Sequence, residues 1–182
     1  MRAILFALAL GLAGCAAAPH LSELRRLQPR GGNFSETLAR EYRSFALQRS
    51  ANGSWQTAEH FAAKGLAALA GAPPEPEPVD SRLPEATRME LEKARVRLVQ
   101  ILGRGAAERY PPFAAVALAR FDCWVDRSPV WPEAAEAARC RREFEENMAT
   151  LEEAFQRSAL IPGLVGRIGD AASQATRGWT MS

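Results

Sequence analysis

An all-α fold is predicted by three observations. Ala, Leu, Glu and Arg dominate the chain, while Tyr occurs only twice and Val, Ile and Thr are sparse, a usage that favours helix over strand. Apolar residues recur at steps of three and four along several long stretches. No stretch alternates apolar and polar residues with period two, so no sheet is expected. The expected architecture is about five helices arranged as antiparallel hairpins.

Asn33 offers an N-cap with Glu36 three residues on, the opening of a capping box. Phe34, Leu38, Tyr42 and Phe45 then share a face, and "ANGS" ends this helix near residue 50. Ser54 stands ready to cap the next, in which Trp55, Ala58, Phe61, Ala62, Leu66 and Leu69 line one side. Gly71 sits where a helix C-terminus favours a left-handed residue. Two helices joined by so short a loop make a hairpin. Tyr42, Phe45, Ala46, Ala58, Ala62 and Gly65 give this hairpin a resemblance to one tetratricopeptide unit, without a second copy. That resemblance implies a groove that could hold a client segment near Tyr42, Trp55 and Phe61.

Residues 71–84, "GAPPEPEPVDSRLP", are too rich in proline for helix, because proline has no amide donor and restricts the residue before it. They read as an extended connector. Pro84 suits the start of a third helix, to about residue 104, with Leu91, Ala94, Leu98, Ile101 and Leu102 as its stripe. "YPP" at 110–112 starts a fourth, carrying Phe113, Ala114, Ala117, Phe121 and Trp124, and "RSPVWP" at 127–132 interrupts it. The fifth runs from about 133 to 157, with Ala137, Cys140, Phe144, Met148, Leu151 and Phe155 on one face.

Cys123 and Cys140 flank that interruption symmetrically. At 1.5 Å per residue each lies about 13 Å back from the tip of an antiparallel hairpin, so the two are level and a disulfide is expected. It would close a loop of about 18 residues and add on the order of 3 kcal/mol. Two thiols without neighbouring His supply half a zinc site, so no metal is expected.

The chain begins with Arg2, an apolar run from Ala3 to Ala13, and small residues before Cys15. A span needs about 20 apolar residues, so this run is too short to cross a bilayer and reads as a signal peptide over residues 1–14. Leu12-Ala13-Gly14-Cys15 resembles the lipobox of bacterial lipoproteins, which implies acylation of Cys15 and cleavage before it. Two or three acyl chains anchor a protein stably. The thiol-oxidising compartment this implies agrees with a Cys123–Cys140 bridge. Ala16 in place of Asp favours the outer membrane, periplasmic face, over the inner membrane. Residues 15–33 are expected to form the anchor and a flexible tether, with at most one helical turn near Leu21 to Leu27. Extended, the tether would reach roughly 60 Å. Residues 34–157 form the helical domain, and 158–182, rich in glycine and without sustained periodicity, a flexible tail.

The stretches "FAAKGLAAL", "RLP", "ELEKARVRLVQIL", "AAVALARFDCWVDR" and "ARCRREFE" resemble the N-terminal helical region of OmpA-family lipoproteins of alphaproteobacteria, over residues 36–157. The most specific match is Phe121, Asp122, Cys123 and Trp124, followed by Cys140 and Arg141. In that family a peptidoglycan-binding OmpA/MotB domain follows the helices. Residues 158–182 are too few to form one, so direct peptidoglycan binding through that module is not expected.

A formal net charge of +2 gives no electrostatic case for nucleic acid. His20 and His60 lack triad partners, metal-ligand spacing or a phosphate loop. Asp122 is the one acid in an unusual setting, and a salt bridge or a cap is expected there ahead of catalysis. The chain therefore reads as a non-enzymatic envelope lipoprotein without cofactor, whose partners are the membrane, through Cys15, and another envelope protein. The alternatives are an accessory lipoprotein for secretion or outer-membrane assembly, and, ranked last, a cell-wall hydrolase.

Overall fold

Helix is the only regular structure among the described residues of the computed structural model, which are 18–128 and 134–178, with side chains described for 18–128 and 135–158. The elements are α1 (Pro19–Arg26), α2 (Phe34–Ala51), α3 (Trp55–Leu69), α4 (Glu85–Gly103), α5 (Ala106–Arg109), α6 (Pro111–Arg127) and α7 (Ala134–Gly178). The leader, Cys15 and the turn at 129–132 lie outside the described residues.

The five anticipated helices are α2, α3, α4, α6 and α7. The Asn33 side chain accepts from the Glu36 amide at 2.8 Å, as the capping pattern requires. Gly71 adopts φ +81°, a conformation costly for any residue with a Cβ. Ser54 occupies the N-cap position of α3, but its side chain makes no capping bond.

α6 is the central helix. Its buried residues, among them Ala114, Ala115, Ala117, Leu118, Phe121, Cys123 and Trp124, go round its circumference, so neighbours must cover every side. α2 covers one side and α7 another, with α4 packed more lightly through Leu91, Ala94, Leu98 and Ile101. Phe121 and Trp124 meet Phe144 of α7 at 5.7 and 5.9 Å between ring centroids. Cys123 and Cys140 lie at disulfide distance, with Cα atoms 5.8 Å apart. Tyr42 and Phe45 of α2 pack against Phe61 of α3, tilted and edge-on, with ring centroids 5.8 and 4.5 Å away.

Four expectations need correction. The first is the tether: residues 19–26 are not free chain but a docked helix. Leu21 and Leu24, three residues apart, share a face and are buried to 2% and 0% exposure. Burying each fully is worth about 1.5–3 kcal/mol, enough to hold a short helix that would not persist alone. Pro19 stands at the first helical position, where its missing amide costs nothing. Glu59 of α3 accepts from the His20 and Leu21 amides at 2.8 and 3.0 Å, satisfying donors that α1 leaves open. At the other end Arg43 donates to the Leu24 and Arg25 carbonyls, both at 3.2 Å. Gly65 makes the approach possible, since a Cβ there would lie 2.9 Å from Leu24 Cδ2.

The second correction is the short α5, one turn after Gly105, whose φ of +84° separates it from α4. The third is the end of the last helix. Glycine content and the loss of periodicity predict a stop near 157, yet the backbone stays helical to Gly178. Extending an existing helix is far easier than nucleating one, which offsets the cost of individual poor formers. The fourth concerns the groove residues Tyr42 and Phe61, taken up below.

Leu24→Ala is expected to cost about 2–5 kcal/mol of α1 docking. Limited trypsin digestion reads this out: cleavage after Arg25 and Arg26 accelerates, while the far-ultraviolet signal of the remaining helices persists.

Candidate functional site

Asp122 sits in the middle of α6 and is fully buried. A carboxylate can be held in such a place only if its oxygens are hydrogen-bonded and its charge is met. Three elements supply this. Tyr42 Oη of α2 donates to Oδ2 at 2.5 Å, Lys64 Nζ of α3 donates to the same oxygen at 2.6 Å, and the backbone amide of Glu77, in the proline-rich segment, donates to Oδ1 at 2.8 Å.

Lys64 is itself shared. It donates to Glu77 Oε1 at 2.6 Å and to the Glu75 carbonyl at 3.1 Å, so all three ammonium donors are used. Its charge also lies 5.4 Å from the Tyr42 ring centroid. His60 Nε2 meets Glu77 Oε1 at 2.7 Å at the rim.

The connector is therefore not a solvated linker. With no helix to satisfy its backbone, it uses side chains of its neighbours. Arg95 of α4 donates to the Pro76 and Glu77 carbonyls at 3.3 and 3.2 Å, Glu77 N bonds Asp122, and Leu83 and Val79 pack on the core. Residues 71–84 form a strap that ties α3, α4 and α6 together.

The electrostatics follow the geometry. Burial, then the Asp122 charge and hydrogen bond, hold the Tyr42 hydroxyl well above its ordinary range, so Tyr42 stays a donor. Burial also raises the Asp122 carboxyl, against the opposing pull of Lys64 and the other donors. For Glu77, burial would raise the pKa, but His60 and Lys64 overcome it and bring the group down to about 2. His60 is raised, first by its hydrogen bond to Glu77.

A carboxylate depressed from 4.5 to about 2 stabilises the fold fully above 4.5 and loses that contribution as pH falls towards 2. Asp122 acts in the opposite sense, so the comparison must isolate Glu77. The stability difference between wild type and Glu77→Gln is expected to be largest between about pH 4.5 and 6.5, where Glu77 is ionised and His60 protonated, and to shrink steadily between pH 4.5 and 2, measured by urea unfolding. His60, being raised, contributes fully below its unfolded value of 6.5 and loses that contribution above it. His60→Gln should flatten the decline on the alkaline side.

A second charged cluster ties α2 to the α6–α7 junction. Arg127, fully buried, lies 3.2 Å from Glu136 and over the Phe45 ring at 5.3 Å, and Arg49 reaches Asp126 at 3.5 Å.

The groove expected near Tyr42, Trp55 and Phe61 is not open. Tyr42 and Phe61 are buried, at 0% and 1% exposure, and only Trp55, at 56%, faces solvent. α1 lies across α3 and α6 covers α2, so the chain itself occupies the faces on which a client was expected. Of the histidines, His20 pairs with Glu59 at 2.7 Å and His60 with Glu77. Asp122 makes the salt bridge expected of it.

Sequence reasoning missed Lys64 and Glu77. The signal for Lys64 was its position three residues after Phe61, inside the register of the apolar face of α3, where a lysine needs a buried partner.

An apolar hollow of about 370 Å³ opens between the strap and α4, lined chiefly by Phe34, Pro73, Pro76, Val99, Leu102 and Leu118. Met89, Val96 and Val99 stand exposed along the same helix. Among the described residues no group of three or more His, Cys, Asp or Glu converges as for a metal ion, and no helix is long and apolar enough to cross a membrane. The chain matches no family model, no curated protein and no solved structure.

Proposed function

We propose that this chain is a non-enzymatic lipoprotein of the bacterial envelope, anchored through acylated Cys15 at the periplasmic face of the outer membrane. Its helical body, with α2–α3 and α6–α7 as two antiparallel hairpins, docks another envelope protein. The observation that carries the reading is Leu12-Ala13-Gly14-Cys15 after a short apolar run. Support comes from the Cys123–Cys140 pair at disulfide distance, which suits an oxidising compartment. The relation to the helical region of OmpA-family lipoproteins rests on Phe121 to Trp124 and on Cys140 with Arg141.

The chemistry of the buried hub favours a structural role. Asp122, Lys64 and Tyr42 hydrogen-bond one another away from solvent, an arrangement that ties α2, α3 and α6 together. The surface we assign to the partner is the hollow along α4 and the strap, in place of Tyr42 and Phe61.

The test is metabolic labelling with palmitate together with site-specific photo-crosslinking in cells. Wild type should take up label and Cys15→Ser should not. A photoreactive residue at Val99 should give one reproducible adduct, and one at Gln56, exposed at the end of α3 away from the strap, none. Absence of label from wild type overturns the anchor, and equal adducts at both positions overturn the docking surface.

A further inference from the structure

The docking of α1 changes what the amino-terminal arginines can do. As parts of a free tether they would be scattered, solvated charges. In the structure Arg30, Arg40 and Arg43 line one cleft of about 450 Å³ with Gln28, Pro29, Ser44 and Leu47. Arg25 and Arg26 stand exposed at the end of α1, whose carbonyls Arg43 holds.

None of these five arginines is in an ion pair with a carboxylate of the described residues. By contrast Arg82, Arg88, Arg97, Arg120 and Arg141 each have one. Of the nearby acids, Glu41 pairs with Arg120, while Glu36, bonded to the neutral Asn33 side chain, and Glu23, exposed on α1, keep their charge but are outnumbered by the five arginines. Arg40 and Arg43 are also fixed in place, Arg40 by the Gly31 carbonyl at 2.5 Å and the Thr37 hydroxyl at 3.3 Å. Guanidinium groups held by neutral acceptors keep their charge and their remaining donors for an external anion.

We infer that this cleft binds the phosphate headgroups of anionic phospholipid, pressing the α1–α2 face against the membrane surface. The inference deepens the anchored reading above and rests on it for the source of the anion. Residues 16–18 alone separate Cys15 from α1, a reach of about 10 Å if extended. α1 adds about 12 Å along its axis. Arg25 and Arg26 therefore stay close to the bilayer of an acylated chain, where basic residues and acyl chains act as joint anchoring signals.

The mature chain from residue 15 with Cys15→Ser carries neither the apolar leader nor an acyl group, and so separates the two claims. It should co-float with vesicles of phosphatidylglycerol and phosphatidylcholine mixed one to two, and not with phosphatidylcholine alone. Each arginine near an anionic surface is worth about fivefold in affinity. In the same background, Arg30→Gln with Arg40→Gln and Arg43→Gln should lower retention on the order of a hundredfold. Arg26→Gln with Arg30→Gln, which removes no long-range contact, guards against misfolding and should lower it by more than tenfold.

Equal retention on both vesicle types, or retention unchanged in the double variant, overturns the proposal. Displacement by millimolar inorganic phosphate at constant ionic strength also overturns it, in favour of a pocket for soluble anions. Phosphatidylglycerol-dependent, arginine-dependent retention supports it even if wild type takes up no palmitate, in which case the acyl anchor alone falls.

Discussion

Replacing Asp122 by alanine lowers the free energy of unfolding by about 3–5 kcal/mol, the cost of leaving a buried charge without its partner. The substitution removes the acceptor of the Tyr42 hydroxyl, one of two carboxylates that meet Lys64, and the acceptor of the Glu77 amide, three bonds from three different elements. Glu77 still compensates Lys64 in part, so the lysine side chain will turn towards the rim. A double variant gives the stricter test. Lys64→Met removes the orphaned charge and restores apolar packing beside Phe61, so Asp122→Ala with Lys64→Met should be less destabilised than the sum of the single changes. Urea denaturation of the four proteins of the cycle measures this, and strict additivity would show that the ion pair carries no coupling.

Reduction of the Cys123–Cys140 pair is expected to cost about 3 kcal/mol, because it frees a loop of 17 residues' separation in the unfolded chain. Both cysteines are buried in the α6–α7 contact, so alanine is a better replacement than serine, whose hydroxyl would lack a partner. Dithiothreitol should move the urea midpoint of wild type towards that of Cys123→Ala with Cys140→Ala, and leave the double variant where it was. A midpoint indifferent to reductant in wild type would mean that the thiols lie near one another without a bond.

Most of the long helices were legible because each buries one stripe, and a stripe leaves its spacing in the sequence; α6, buried all round, showed instead as a run of Ala and aromatic residues. Leu38, Tyr42 and Phe45, or Phe144, Met148, Leu151 and Phe155, announce a helix and its inward face. What periodicity does not say is which element covers that face. Tyr42 and Phe61 were correctly apolar and helical, but α1 and α6 occupy the space in which a client was expected. α1 itself was hard to read because only Leu21 and Leu24 mark it, between a proline and a run of arginines.

The hub shows the same division. Asp122 stood out within its own helix, as an acid among Phe, Cys and Trp. Its partners lie 80, 58 and 45 residues away, and no local pattern records pairings over such separations. Lys64 announced only that some partner must exist.

The strap bears on how this polypeptide could be cut and rejoined. Residues 71–84 have the composition of a spacer, yet their amide and carbonyl groups are gripped by Lys64, Arg95 and Asp122. New termini opened there would release several elements at once. Termini opened at the exposed Gly53 turn would sever little besides the turn. A circular permutant is thus better begun at the glycine than within the prolines, the reverse of what residue content alone would advise.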